Sequence, residues 1–267
     1  MKGIRPAVSQ PYEYRLPIVD LRTRALFLDV DGTLLEIAPD PDSVVVADRL
    51  RRLIPELTRL TAGALALVSG RTIAQLDALF RPMMLPCSGL HGLERRDVQG
   101  LVHRPAINDE KLGRARSFLA AMVQVNPGLL LENKHSTLAL HYRQAPQLGP
   151  TARRLMAQAL EILGADYCVL EGKMVFELKP DGFSKSTAIA AFLREPPFVR
   201  RSPIFVGDDR TDEAGLAYVE NLGGLAIHVG PAHADSGASW RLPSVAAVHD
   251  WLESLLPARA PATRSES

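Results

Sequence analysis

The stretch Ala25-Leu26-Phe27-Leu28-Asp29-Val30-Asp31-Gly32-Thr33 constrains this chain more than any other. A mostly apolar run reads as a strand buried on both faces, which is the pattern of a central parallel strand. Asp29 and Asp31 share a parity, so an extended backbone points both carboxylates to one side. Gly32 then permits an immediate turn. Two acids side by side at the carboxyl end of a central strand are costly unless a cation neutralises them, and open α/β sheets bind ligands at those strand ends. The reading is a metal-assisted reaction in which one carboxylate attacks and the other moves a proton. The plainer reading is an Asp-Gly turn between two strands.

The same rhythm recurs. Ala64 to Val68 is apolar and ends in Ser69-Gly70-Arg71, after which Thr72 can cap a helix carrying Ile73, Leu76, Leu79 and Phe80. Pro203 to Val206 ends in Gly207-Asp208-Asp209-Arg210-Thr211-Asp212-Glu213 and enters another helix. Strand, polar turn and helix in succession predict an α/β core with a parallel sheet. A helix from Val46 to Leu60 is expected to be kinked or shortened by Pro55 and stopped by Gly63. Met84–Cys87 and Leu90–Arg95 read as short strands around His91, which by itself is more often a structural histidine than a functional one.

From about Ala106 the pattern becomes helix, two strands, helix, two strands, an α+β unit with an antiparallel sheet. The expected organisation is a leader over 1–23, a core over 24–105, an inserted cap over 106–180, the rest of the core over 181–256 and a disordered tail over 257–267. Hinges are expected near 104–107 and 180–182.

Composition narrows the function. The net charge of +1 offers no field for a polyanion, and no aromatic-basic pattern suggests nucleic acid. No apolar run is long enough to span a membrane, and no secretory signal is visible. Cys87 and Cys168 sit far apart in apolar settings, so free thiols in a cytoplasmic protein are expected.

Three strand ends thus carry Asp29/Asp31, Ser69 and Asp208/Asp209/Asp212, and Lys185 opens a helix. Parallel strands end on one edge, so these groups can converge. Several carboxylates call for a hard dication such as Mg²⁺, and a lysine with a hydroxyl suits a phosphoryl group. The plainer reading of Lys185 is a solvated helix residue, and Asp209 and Glu213 could as readily complement a helix dipole.

The segments Asp29-Val-Asp-Gly-Thr, Ser69-Gly-Arg, Lys185 and Gly207-Asp-Asp-Arg-Thr-Asp-Glu resemble the four motifs of the haloacid dehalogenase (HAD) superfamily of phosphotransferases. More closely, residues 24–256 are similar to the bacterial trehalose-6-phosphate phosphatase family, through Leu90 to Arg96, Leu140 to Pro146 and Glu177-Leu178-Lys179-Pro180. The resemblance implies a Rossmann-like core with a C2B-like cap of antiparallel sheet and two helices. It implies that Asp29 is the nucleophile, that Asp31 is the general acid and base, and that Ser69 and Lys185 bind the phosphoryl oxygens. Mg²⁺ would be held by Asp29, the Asp31 backbone carbonyl and Asp208, with Asp212 nearer than Asp209. Glu132, Lys134 and Glu177 match cap residues that touch the sugar, and Arg143, His141 and His91 are further candidates; Glu177 could instead pair across strands with Lys179 or Lys173. Two departures stand out: Ser186 where relatives commonly have glycine, and His135 where they have a small residue.

The expected activity is hydrolysis of trehalose 6-phosphate by a monomer, with room for a functional link to a trehalose-6-phosphate synthase. The competing readings are another capped sugar phosphatase, such as one acting on sucrose phosphate, a phosphomannomutase-like transferase, and a non-catalytic sugar-phosphate-binding regulator.

Overall fold

The computed structural model describes residues 16–17, 19–37, 44–106, 108–134, 136–172, 174–231 and 236–257. The chain divides into two compact units, Met1–Leu65 with Leu193–Ser267, and Ala66–Phe192.

The first unit is built on four parallel strands in the order β12 (Trp240–Leu242), β11 (Leu225–Val229), β10 (Ser202–Gly207) and β1 (Arg24–Leu28). Leu26 to Leu28 and Ile204 to Val206 are fully buried, as two-sided parallel strands must be. The register pairs Leu28 with Val206, and the Asp29 N–H continues the ladder to the Val206 carbonyl at 3.0 Å. Both strands therefore end at one level, each delivering its acidic turn there. The helix α6 (Glu213–Asn221) packs on β10 and β11, and α1 (Asp48–Leu60) packs against α7 (Val245–Ser254).

Pro55 does not shorten α1, which runs on to Leu60. Leu50, Leu53, Ile54 and Leu57 are buried on one face, and that packing outweighs the loss of one backbone hydrogen bond. Beyond the Thr61 cap the chain leaves the helix through two left-handed residues, Ala62 at φ +48° and the expected Gly63 at +86°, whose N–H groups bond to the Arg59 and Thr58 carbonyls.

The second unit contains two sheets. One runs β2 (Leu65–Val68), β3 (Cys87–Gly89), β4 (Glu94–Arg96) and β5 (Val102–His103), with β2 and β3 parallel and the remaining pairs antiparallel. The expected strands at 84–87 and 90–95 are thus displaced. Leu90 and His91 both adopt left-handed φ, +50° and +54°, and turn the chain where an extended run was read. β2 leads to α2 (Ile73–Phe80), capped by Thr72 and Gln75 in a reciprocal box. The other sheet is antiparallel, β6 (Leu130–Asn133), β7 (Leu138–His141), β9 (Val175–Pro180) and β8 (Tyr167–Gly172). Its Leu138, Leu140, Phe176 and Leu178 pack with α3 (Asp109–Gln124) and α4 (Gly149–Leu163) into one apolar cluster. An α/β parallel sheet with a separate antiparallel α+β layer is the predicted fold class.

Among the described residues no helix is long and apolar enough to cross a membrane. Cys87 and Cys168 are free thiols. Most of the leader, the tail beyond residue 257, His135 and Lys173 lie outside the described residues.

Candidate active site

In the first unit, one carboxylate oxygen from each of Asp29, Asp208 and Asp212 lies within 4.8 Å of the others. Asp29 is 4% exposed and Asp212 fully buried. Like charges at such a distance repel by about 3–4 kcal/mol per pair at an effective dielectric near 20. A hard dication reverses that sign, and an all-oxygen donor set is the chemistry it prefers. These residues fit Mg²⁺. Asp31 is not one of the three carboxylates that meet there.

Two glycines let the acids come together. Gly32 has φ at +82°, and a Cβ there would fall 2.0 Å from Asp208 Oδ2. A Cβ on Gly207 would fall 2.4 Å from Asp212 Cγ. Asp212 Oδ2 accepts the N–H groups of Asp208 and Asp209, at 3.2 and 3.0 Å, so one of its oxygens also holds the loop. Asp209 is exposed and accepts from the Arg210 N–H, a capping role. Glu213, first in α6, accepts from the Gly237 N–H. Thr33, passed over in the sequence, reaches Asp208 Oδ1 at 3.4 Å.

The second unit holds Ser69 and Lys185, both buried. Ser69 Oγ accepts from the Arg71 N–H, and the Ser69 carbonyl accepts from the His91 N–H. Lys185 is the first residue of α5 (Lys185–Phe192). Ser186, one of the two departures, shares a hydrogen bond with Ser184 Oγ at 2.7 Å and is at home in this helix start.

The candidate sugar residues of this unit form a polar row. The register places Glu132 opposite Ala139 and Ala139 opposite Glu177, so the two acids flank one small residue. Lys134 Nζ lies 3.8 Å from each of them. His141 Nε2 donates to Glu132 Oε2 at 2.9 Å. That bond, with Lys134 nearby, holds the Glu132 carboxyl below its ordinary value against the opposing effect of burial. Thr137 donates to Glu177 Oε1 at 2.6 Å. Glu177 is thus held by Thr137, with Lys134 and His91 near its other oxygen, rather than by Lys179.

His91 packs over Gly70, where a Cβ would meet its ring at 2.6 Å. Burial, and then the charges of Lys185, Lys134 and Lys179, push its pKa well below the ordinary value. The ring is therefore neutral, and its 3.7 Å approach to Glu177 is not an ion pair. Arg143 is exposed after β7 and makes none of these contacts.

The sequence model of a family described as "Trehalose-phosphatase" matches residues 27–246. The chain is 44% identical over 234 residues to the trehalose-6-phosphate phosphatase of Escherichia coli (strain K12), spanning 88% of this chain and 87% of that one. Its fold is similar to the C-terminal domain of a trehalose-6-phosphate phosphatase from C. albicans, with TM-score 0.76 at 22% identity over 88% and 92% of the two chains. It is similar also to a phosphatase of the haloalkanoate (HAD) enzyme superfamily from Bacteroides thetaiotaomicron, with TM-score 0.58 at 16% identity over 91% and 98%. With an aspartate-ended parallel strand, an acidic trio and a match over most of its length, this chain belongs to the trehalose-phosphatase family.

Proposed function

We propose that this chain is a Mg²⁺-dependent phosphatase that hydrolyses trehalose 6-phosphate to trehalose and phosphate, in trehalose biosynthesis. The observation that carries the reading is the meeting of Asp29, Asp208 and Asp212 in a chain of this family.

Asp29 attacks phosphorus with a carboxylate oxygen and forms an aspartyl-phosphate as the bond to the sugar oxygen breaks. Asp31 donates a proton to that leaving oxygen, then takes one from the water that hydrolyses the acyl phosphate. Ser69 and Lys185 bind the phosphoryl oxygens and balance their charge. Asp29, Asp208, Asp212 and the Asp31 backbone carbonyl would hold Mg²⁺, which supplies further neutralisation of the transferring group. Glu132, Lys134 and Glu177 read the sugar hydroxyls, joined by His141, His91 and Arg143. Their support is the carboxylate and ammonium groups along one face of the antiparallel sheet, donors and acceptors of the kind a disaccharide requires.

The same proposal takes residues 106–180 as a cap that excludes water during turnover, with hinges near 104–107 and 180–182. It takes the protein as a monomer of the cytoplasm, a setting supported by two unbridged thiols. The test is phosphate release from purified trehalose 6-phosphate beside a panel of sugar phosphates. The expected result is a preference for trehalose 6-phosphate; faster turnover of glucose 6-phosphate or sucrose phosphate overturns the substrate assignment.

A further inference from the structure

Lys179 stands two residues beyond Glu177 on β9 and is 6% exposed. Its Nζ donates to the carbonyl of Phe183 and lies 3.5 Å from that of Pro180. Both partners are neutral, and among the described residues no carboxylate lies within ion-pair distance of this ammonium. A buried cation without a counter-ion is costly, and a methionine of similar length would pack more cheaply. The cost is explained by what the three N–H donors gather. Pro180 to Phe183 is the turn that leaves β9, with Gly182 at φ +79°. Ser184 follows as the cap of α5: its Oγ accepts from the Thr187 N–H and its carbonyl from the Ala188 N–H. The opposite side of Ser184 is closed by Gly92, where a Cβ would fall 2.3 Å from the Ser184 carbonyl oxygen. Lys185 comes next.

We infer that Lys179 is a positioning residue that ties the turn 180–183 to the sugar-reading strand β9 and so fixes where α5 starts and where Lys185 presents its ammonium. This rests on the phosphatase reading above, and it adds a group that touches neither sugar nor phosphate. Glu177 and Lys179 on one strand then couple the residue that meets the sugar to the placement of the lysine that meets the phosphoryl group.

The test compares wild type, Lys179→Met and Lys179→Arg by melting temperature and by kcat and KM for trehalose 6-phosphate, per folded molecule. A displacement of about 1 Å in a phosphoryl-binding group costs on the order of a hundredfold in rate. The expected result is a kcat lowered roughly 10- to 100-fold in Lys179→Met with KM within about threefold of wild type, and recovery to within about fivefold in Lys179→Arg, which keeps charge and donors. A kcat within twofold of wild type, a loss confined to KM, or a loss that only tracks the folded fraction overturns the inference. Should Lys179→Met not fold, Lys179→Gln is read by the same criteria. A wild type inactive on trehalose 6-phosphate removes the functional reading instead, and the comparison is then made on the phosphate ester it turns over fastest.

Discussion

Gly32 and Asp208 stand 176 positions apart in sequence, yet a single methyl group on the glycine would overlap the aspartate carboxylate, at 2.0 Å from Oδ2. The acid-binding geometry is therefore set by an absence of side chain. Gly32→Ala is expected to strain a left-handed backbone, at about 1–3 kcal/mol, and to push Asp208 out of the trio. Turnover of trehalose 6-phosphate should fall at least about tenfold with the melting temperature lowered; kinetics and thermal melts of the purified variant check it.

Metal removal gives a second expectation. EDTA should abolish turnover and Mg²⁺ restore it. Mg²⁺ at about a hundred times its Kd should also stabilise the fold by roughly 2.7 kcal/mol, a rise of about 5–10 °C for a chain of this size. Asp208→Asn should lose most of that rise. Turnover that survives thorough chelation contradicts the assignment.

The pH dependence of stability has a calculable sign. His91 is held neutral when folded, because burial and the neighbouring lysines push its pKa well below the ordinary histidine value of about 6.5. Below about pH 6.5 the unfolded chain binds a proton that the folded chain does not. Stability is then fully present above that pH and is lost as pH falls toward the folded pKa, by at most about 1.4 kcal/mol per pH unit. His91→Gln should flatten that decline between about pH 6.5 and 5 in urea titrations. An unchanged slope would place the proton uptake elsewhere.

Ala139 spaces Glu132 from Glu177. Ala139→Leu should wedge the two acids apart, overpacking a fully buried position at about 1–3 kcal/mol. The expected kinetic result is a rise of about tenfold or more in KM for trehalose 6-phosphate, with Ala139→Gly nearly neutral; Michaelis curves for the three proteins decide it.

The acidic strand ends were legible because they depend on local pattern: apolar runs, a two-residue period, and glycine directly after the acid. The polar row of the antiparallel sheet was only half legible. In an extended run Thr137, Ala139 and His141 fall on one face, but no sequence rule states that β6 and β9 both flank β7, so the Glu132–Ala139–Glu177 alignment required the register. The left-handed pair Leu90 and His91 carries no glycine to announce it and is held by N–H bonds to Arg71 and Ser69, about twenty residues upstream. Lys179 was read only as a partner for Glu177, because a lysine bonded to carbonyls leaves no charge pattern in the chain.

The pairing of β1 with β10 also has a consequence for synthesis. Leu26 to Leu28 are made long before their partner Ile204 to Val206. A ribosome must expose that greasy segment while some 170 further residues are polymerised, at about 5–20 residues per second. Throughout that interval Asp29 has neither Asp208 nor Asp212 beside it. A fragment cut short before residue 208 thus keeps an unpaired apolar strand, a template for aggregation, and lacks two of the three carboxylates that meet in the full chain.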